Sequence, residues 1–264
     1  MLRWSRRALA ECEFHLLPNK VAHIVLNRAE RRNAFGRVMS KEYADCIARC
    51  SDVGVRAVVI SSSVPGTFSA GADLKERKEM SVDEARAFVD GLRTMLNVTE
   101  DLAVPTIAAI DGVALGGGLE LALACDMRVA SEGSKVGLTE TGLAIVPGAG
   151  GTYRLPRAVG LAQALRLIST ASPVDGSEAL RIGLVQALAP DPKQAALDMA
   201  AKIAANGPIA VRAAKQAMRD GYQKDRAAGL AAEREAYQKV LPSQDRLEGL
   251  KAFAEKRKPE YTGA

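Results

Sequence analysis

Short apolar runs and longer segments of helical periodicity follow one another over the first two thirds of the chain. The runs are rich in β-branched residues, which predicts buried strands, and three of them are residues 21–27 (VAHIVLN), 56–62 (RAVVISS) and 105–111 (PTIAAID). Helical spacing covers Phe35–Cys50, and Ser81 with Glu84 forms a capping box that begins a second helix ending near Asp101. This order of strands and helices predicts an α/β fold with right-handed crossovers.

The remaining pattern divides the chain into a mixed part and a helical part. Residues 63–77 predict a loop, and the segment after Gly116 predicts a short helix that is apolar on every face. Further strands and a glycine-rich loop are predicted at 126–131, 135–140 and 147–160. Four helices follow, at Asp191–Ala205, Pro208–Gly221, Lys224–Val240 and Gln244–Lys256. We therefore predict an α/β core at 13–205 and a helical region at 206–264 that packs on another subunit.

Composition narrows the chemistry that the chain can perform. The 264 residues contain no run of about 18 apolar residues, so no membrane span is expected. The net charge of +5 suits an anionic small molecule as well as a nucleic acid. With only two histidines, His15 and His23, a Ser-His-Asp triad or a histidine-rich metal site is not expected. Acid–base chemistry must then come from other titratable side chains, carboxylates among them.

Cysteines and the N-terminus bear on the compartment. Four scattered cysteines predict a reduced, intracellular protein, and Cys46 and Cys50, one helical turn apart, predict helix packing over a metal pair. The first nine residues hold three arginines and no acidic residue. Two interpretations stand side by side for residues 1–12, a mitochondrial targeting segment and an ordinary basic arm.

Three consecutive glycines precede a glutamate in the predicted apolar helix, in the sequence GGGLE from Gly116 to Glu120. Free N–H groups at a helix start, with no side chain in the way, can donate to an anion or to a developing oxyanion. Glu120 is then a candidate proton carrier. The plainer interpretation is that Glu120 only satisfies the amides of the first helical turn.

A second glycine turn and a second glutamate complete a candidate site. The loop FSAGADLKER follows a predicted strand, so the amides of Gly71, Ala72 and Asp73 are expected to face the same crevice as Gly117. Glu140 ends a predicted strand in apolar surroundings and would pair with Glu120 to hold one water and move protons. The alternatives are an ordinary loop with Asp73 as a helix cap, and a surface glutamate.

Together these segments resemble the crotonase superfamily, the enoyl-CoA hydratase/isomerase family. The likeness covers residues 14–262 and is carried by AGADLKE, PTIAAIDGVALGGGLELALACDMRVAS and IVPGAGGTYRLPRAVG. Within the family, SAGADLKERKEMS, ETGLAIVPG and DRLEGLKAFAEKRKPEYTG are most similar to the AU-binding methylglutaconyl-CoA hydratase group. The enoyl-CoA hydratase domain-containing proteins share much of the same sequence.

The resemblance implies a fold and a set of site residues. The fold is a crotonase-like ββα superhelix with a C-terminal helical region that forms trimers, two of which stack as a hexamer. Glu120 and Glu140 would be catalytic, and the N–H groups of Ala72 and Gly117 would form the oxyanion hole. Residues implied to contact CoA or substrate are Ala70, Ala72, Asp73, Leu74, Lys75, Gly116 and Gly117, with Phe253 and Lys256 reaching the CoA of a neighbouring subunit. No metal or cofactor is implied, since CoA is part of the substrate.

The implied activity is hydration of an enoyl-CoA thioester. Water would add syn across the 2,3 double bond, or leave in the reverse direction. The leading substrate is 3-methylglutaconyl-CoA of leucine degradation, and the alternative is a general short-chain enoyl-CoA hydratase of fatty-acid β-oxidation. The location implied is the mitochondrial matrix, with the cytoplasm as the alternative.

Two departures from the family pattern stand out. Tyr153 occupies a position where most relatives have Gln, near the loop that follows Glu140, and is expected to affect packing or pocket shape. The AU-binding group carries a comb of lysines on one helix, and the matching positions are Arg37, Lys41 and Asp45. An acidic residue in the comb removes a phosphate contact and adds repulsion, which argues against the alternative of an RNA-binding protein.

Overall fold

Two sheets with helices packed around them form the α/β part of the chain. The computed structural model describes residues 10–51 and 54–264, so the predicted targeting segment or basic arm at residues 1–9 lies outside the described residues. The strands are β1 Cys12–Leu16, β2 Val21–Leu26, β3 Ala57–Ser62, β4 Thr67–Ser69, β5 Thr106–Ile110, β6 Val113–Leu115, β7 Met127–Ala130, β8 Lys135–Gly137, β9 Val174–Asp175 and β10 Ala187–Leu188. The larger sheet has the order β1-β2-β3-β5-β7-β10, and the smaller has the order β4-β6-β8-β9.

The helices come mostly between and after these strands. They are α1 Arg37–Cys50, α2 Leu74–Lys78, α3 Val82–Asp101, α4 Gly117–Ala124, α5 Gly151–Val159, α6 Leu161–Thr170, α7 Gly176–Arg181, α8 Pro192–Ala204, α9 Pro208–Gly221, α10 Arg226–Val240 and α11 Gln244–Ala254. Short 3₁₀ helices lie at Ala29–Arg31 and Glu140–Leu143. None of the helices in residues 10–51 and 54–264 has both the length and the apolar character needed to cross a membrane.

A ββα unit is repeated along the chain, which confirms the predicted superhelix. In each unit the first strand joins the larger sheet, the second joins the smaller sheet, and a helix follows. The units are β3-β4-α3 (with the short α2 inserted), β5-β6-α4 and β7-β8-α5. Within the larger sheet β2, β3, β5 and β7 pair in parallel, and only β1 is antiparallel to its neighbour. The parallel strands of successive units therefore end at the same edge of the larger sheet.

Both faces of the larger sheet are buried, which explains why its strands are almost uniformly apolar. Val58 and Ile60 of β3 face the main core together with α1 and α3, while Val59 faces the opposite side. There the small residues Ala196 and Ala200 of α8 lie against the sheet. The predicted helix at Asp191–Ala205 is thus confirmed, with Asp191 as its N-cap.

The longer predicted elements are confirmed with small shifts at their ends. Ser81 accepts from the N–H of Glu84 and the Glu84 side chain accepts in return, so the capping box begins α3 as predicted. Strand β1, which begins at Cys12, was not predicted, and two predictions were wrong. The predicted loop at 63–77 contains β4 and α2, and the strand predicted at 135–140 ends at Gly137.

The C-terminal helices attach to the core through α9, and the end of the chain attaches through Arg56, whose guanidinium donates to the Tyr261 carbonyl. The Lys215 ammonium donates to Asp126 Oδ2 at 2.7 Å and to the Val104 carbonyl at 2.9 Å, which anchors α9 beside β5 and β7. Helices α9 and α10 form a hairpin in which Gly221 and Gly229 allow close approach. Beyond it, α10 and α11 carry large apolar side chains that remain exposed to solvent.

Candidate active site

A cavity of about 650 Å³ contains both predicted glutamates. Its walls come from α2, α3, the start of α4 and the segment 139–149. Ala72 and Gly117 also line it, so the structure brings together the four residues that were predicted as the centre of the site. The two turns that supply Ala72 and Gly117 follow β4 and β6, neighbouring parallel strands of the smaller sheet.

The N–H groups of Ala72 and Gly117 have no acceptor among the described residues. The amide of Ala72 is free because Phe35 pairs with the residues on either side of it. The Phe35 N–H donates to the Gly71 carbonyl, and the Phe35 carbonyl accepts from the Asp73 N–H. In such a parallel bridge the central residue, Ala72, turns its own N–H to the other side. Gly117 is the first residue of α4, where the N–H lacks an intrahelical partner. The two amides can therefore donate to one oxyanion.

Each of the three glycines in the turn has a different neighbour, which decides whether a side chain would fit at that position. Gly116 has a φ of +50°, and a Cβ added there would lie 3.1 Å from Glu140 Oε1. A Cβ on Gly118 would lie 2.4 Å from the Ser69 carbonyl oxygen, so only glycine lets α4 pack this closely on β4. A Cβ on Gly117 would lie 3.6 Å from the Ala72 nitrogen, which is an ordinary van der Waals contact, so sterics alone do not require glycine there.

Glu120 is buried and held by a neighbouring loop. Its Oε1 accepts from the N–H groups of Ala149 and Gly151, both at 2.8 Å. Burial raises the pKa of Glu120 above its usual value, and the amides of Gly151 and Ala149 oppose the rise without cancelling it. These amides belong to another loop, so the plainer interpretation, that Glu120 caps its own helix, is not what its carboxylate does.

Arg154 fixes the loop that holds Glu120, a role that the sequence analysis missed. Its guanidinium donates to the Ala149 carbonyl at 3.0 Å, to Asn97 Oδ1 at 2.7 Å and to Glu100 Oε2 at 2.6 Å. The side chain is buried and ties α5 to α3. The motif GGTYRLPR contains this arginine, but only the packing of α5 on α3 gives it a partner.

Glu140 begins the 3₁₀ helix Glu140–Leu143 and lies on the wall beside Gly116. It does not end a strand, and it is half-buried, unlike a surface glutamate. Its Oε2 is buried and has no hydrogen-bond partner among the described residues. Burial raises the pKa of Glu140 to about 7, and the nearby charge of Glu120 adds to the rise. Leu143, at the end of the same 3₁₀ helix, is exposed, whereas Leu119 and Leu121 on either side of Glu120 are fully buried.

The two carboxyl groups thus differ in the surroundings that set their affinity for a proton. Glu120 has two amide donors that favour its charged form, whereas Oε2 of Glu140 is buried and makes no hydrogen bond with the described residues. Such a pair favours one ionised and one protonated carboxyl group near neutral pH. Combined with two free amides, the arrangement can place a base, an acid and an oxyanion site around one substrate.

Comparison with known proteins identifies the family. The sequence model described as Enoyl-CoA hydratase/isomerase matches residues 17–264. The chain belongs to the enoyl-CoA hydratase/isomerase family. The human protein named "Methylglutaconyl-CoA hydratase, mitochondrial" is 49% identical over 245 residues, which are 90% of this chain and 72% of that protein.

Two further members of the enoyl-CoA hydratase/isomerase family show how close the likeness is. "Probable enoyl-CoA hydratase 2, mitochondrial" from Arabidopsis thaliana is 48% identical over 92% of this chain and 82% of its own length. The crystal structure of an enoyl-CoA hydratase from Bacillus anthracis superposes with a TM-score of 0.94 at 44% identity. That comparison covers 96% of this chain and all of the bacterial one.

The residues that the family resemblance assigns to CoA fall into two groups. Cavity-lining members are Ala70, Ala72, Leu74, Gly116 and Gly117. Asp73 is buried beneath α2, where it caps the helix and lies 3.1 Å from Arg28 Nη1, so its side chain does not reach the cavity. Lys75 is exposed on α2, and Phe253 and Lys256 are exposed at the end of the chain. Their contacts with CoA remain predictions.

The two departures from the enoyl-CoA hydratase/isomerase pattern lie away from this cavity. Tyr153 is half-exposed on α5, with the Arg157 guanidinium 3.6 Å from its ring centroid, and it lines a separate cavity. Arg37, Lys41 and Asp45 are exposed along α1, and Arg37 pairs with Glu84 at 3.3 Å. Cys46 and Cys50 point from the same helix into the core, as helix packing predicts.

Proposed function

We propose that this protein is an enoyl-CoA hydratase in which Glu120 and Glu140 carry the protons. The observation that carries the proposal is the cavity itself, where two free amides and two carboxyl groups of unlike environment meet. Family members named as hydratases, in human and Arabidopsis, support the assignment. The catalytic roles below follow from the contacts of each group.

The thioester carbonyl oxygen is positioned between the N–H groups of Ala72 and Gly117. Water can attack the β-carbon only if that oxygen takes up negative charge as the double-bond electrons move towards it. Two fixed amides in a site shielded from water stabilise the resulting enolate, and one such donor contributes about 3–4 kcal/mol. This term alone accounts for a large part of the rate that a hydratase needs.

The glutamates divide the proton transfers. Glu120, whose Oε1 accepts two amide hydrogen bonds that favour its charged form, accepts a proton from the attacking water as the oxygen bonds to the β-carbon. Glu140, whose pKa of about 7 keeps it protonated in part at neutral pH, gives its proton to the α-carbon as the enolate collapses. A proton then returns from Glu120 to Glu140. The cycle uses no cofactor, and CoA remains part of the substrate.

Substrate, location and assembly belong to the same proposal. The name of the human relative supports 3-methylglutaconyl-CoA as substrate, and the names of the human and Arabidopsis relatives support a mitochondrial location. The exposed apolar side chains of α10 and α11 support a trimer or a hexamer, because a helical region with little core of its own is stabilised by a partner. The second candidate is a short-chain hydratase with broad acyl specificity.

A panel assay tests the proposal. The purified chain is given crotonyl-CoA, tiglyl-CoA and 3-methylglutaconyl-CoA, and loss of the conjugated thioester is followed. We expect hydration of crotonyl-CoA and a higher kcat/KM for 3-methylglutaconyl-CoA. Preference for crotonyl-CoA would favour the second candidate, and hydration of none of the three would overturn the proposed function.

A further inference from the structure

Three arginines line the catalytic cavity, and two of them are already paired. Arg86 Nη1 lies 2.7 Å from Asp83, and Arg93 Nη1 lies 2.7 Å from Asp90 while its Nε donates to the Gly148 carbonyl. Arg77 makes no side-chain hydrogen bond or ion pair with any residue in 10–51 or 54–264. It is nevertheless half-buried on the cavity wall.

The acidic residues around Arg77 on α2 are engaged elsewhere or point outwards. Asp73 caps the helix and pairs with Arg28, and Glu76 binds Arg28 and the N–H of Arg37. Glu79 is exposed at the end of the helix. A guanidinium that loses hydration without gaining an anion destabilises the free protein, so this position is suited to an anion that a ligand brings.

The place of Arg77 in the cavity indicates which part of a ligand it faces. Arg77 and Leu74 are three residues apart on α2, hence on one face of that helix, and both line the cavity. The positive charge of Arg77 acts to lower the pKa of Glu140, so the guanidinium is within electrostatic reach of the proposed proton donor. Glu140 is the proposed proton donor to the α-carbon, so a guanidinium within its electrostatic reach faces the acyl part of a ligand whose thioester oxygen is held at Ala72 and Gly117.

We propose that Arg77 binds a carboxylate at the far end of the acyl chain. The preferred substrates are then CoA monothioesters of unsaturated dicarboxylic acids, with acyl chains that end in a charged group. Arginine suits this role because its planar fork donates two parallel hydrogen bonds to a carboxylate and is always charged. The inference rests on the proposed function. It adds that one residue, Arg77, determines the class of substrate that the site prefers.

A CoA phosphate is the other anion that Arg77 could bind, and binding measurements separate the two. Glutaryl-CoA and butyryl-CoA differ only by the terminal carboxylate, and neither has a double bond to hydrate. Calorimetry gives the Kd of each for the unaltered chain, for Arg77→Met and for the control Lys78→Met. Lys78 is exposed on the same helix and does not line the cavity, so the control removes an equal charge.

We expect Arg77→Met to weaken glutaryl-CoA binding roughly 10- to 100-fold, the loss typical of a hydrogen bond to a charged group. Butyryl-CoA binding should change less than about twofold, and Lys78→Met should change neither. Equal weakening of both ligands would assign Arg77 to CoA and overturn the inference, as would no weakening of either. Because these ligands bind without turnover, the result is independent of the panel assay.

Discussion

Glu120 and Glu140 have the same side chain, yet the fold gives them different surroundings. The first accepts two amide hydrogen bonds from a loop that Arg154 holds in place, and the second leaves one oxygen without a donor. Burial raises the pKa of both, and for Glu140 the rise reaches about 7. The free-energy cost of charging two carboxyl groups in this cavity is the physical basis of the proton-carrier roles that we propose for them.

A pH profile follows from this pair. The active form holds one proton between Glu120 and Glu140, so kcat/KM for hydration should fall about tenfold per pH unit above about pH 7, where Glu140 loses that proton. Addition of water to the double bond neither consumes nor releases a proton. Dehydration of the product should therefore show the same limb, and a flat profile between about pH 6 and pH 9 would contradict the assignment.

The sequence identified these residues through local signals. Three glycines before Glu120 and an acidic residue in an apolar stretch at Glu140 were enough to predict a pair. The sequence gives no comparable signal for Arg154 or Arg77, because their importance depends on which charges lie near them in space. The balance between burial and amide donors at Glu120 was likewise open until the loop 149–151 was seen to supply the donors.

The turn between β4 and α2 supplies one amide of the proposed oxyanion site, and Gly71 allows this turn to lie close to the turn that supplies the other. Gly71 has a φ of +98°, and a Cβ added there would lie 2.8 Å from the Leu115 carbonyl oxygen and 3.2 Å from the Gly117 nitrogen. Gly71→Ala should therefore separate the two turns and lower kcat about 10²- to 10³-fold, the loss typical of one missing oxyanion donor.

The matched control for this prediction is Gly160→Ala. Gly160 also has a positive φ, +80°, but a Cβ there would meet no atom within 4 Å. Both variants should lose about 1–2 kcal/mol of unfolding free energy from backbone strain. Only Gly71→Ala should lose turnover, and equal kcat values for the two variants would show that the turn does not position the amides.

The exposed residues of helix α1 are the basis of our prediction about RNA binding. Asp45 interrupts the exposed row that Arg37 and Lys41 begin, and Arg37 is already paired with Glu84. We expect no specific binding of AU-rich RNA at about 0.15 M salt, measured by fluorescence anisotropy. Asp45→Lys should strengthen RNA binding and steepen its salt dependence. Sub-micromolar affinity of the unaltered chain, competed by AU-rich but not by random RNA, would overturn this expectation.

Long elements were predictable from the sequence because their signals are repeated, and short ones were not. The helix beginning at Ser81 has both a capping box and many turns of apolar periodicity. Strand β4 and helix α2 are three and five residues long, and their residues read as a loop because tertiary pairing, such as that of β4 with β6, stabilises them. The 3₁₀ helix at Glu140–Leu143 was missed for the same reason.

At the scale of the whole molecule, the exposed face of the C-terminal helices predicts assembly. Large apolar side chains at least 48% exposed on α10 and α11 are Leu230, Tyr237, Leu247, Leu250 and Phe253. Sedimentation velocity at micromolar concentration should show trimers or hexamers. The double variant Leu250→Glu and Phe253→Glu should dissociate them without unfolding the chain, because both side chains are exposed in one subunit. A monomer of the unaltered chain would contradict the prediction.

The ββα repeat is a property that only the folded chain displays. No short internal repeat is evident in the sequence, because the units share a path through the two sheets and differ in the lengths of their loops and helices. The superhelix was predicted from the resemblance to the crotonase superfamily, whereas the periodicity of the sequence predicted only an α/β class. What the architecture provides for function is convergence, since strand ends from successive units meet at one cavity.

The measurement that most directly tests the central claim is turnover of Glu120→Gln and Glu140→Gln, with product-CoA affinity measured on the same samples. Glutamine keeps the size and most hydrogen bonds of each side chain but cannot exchange a proton. Each variant should lose about 10²- to 10⁴-fold in kcat while its affinity for 3-hydroxybutyryl-CoA changes only a few-fold. A variant that keeps more than about a tenth of the original kcat would show that its glutamate is not an essential proton carrier.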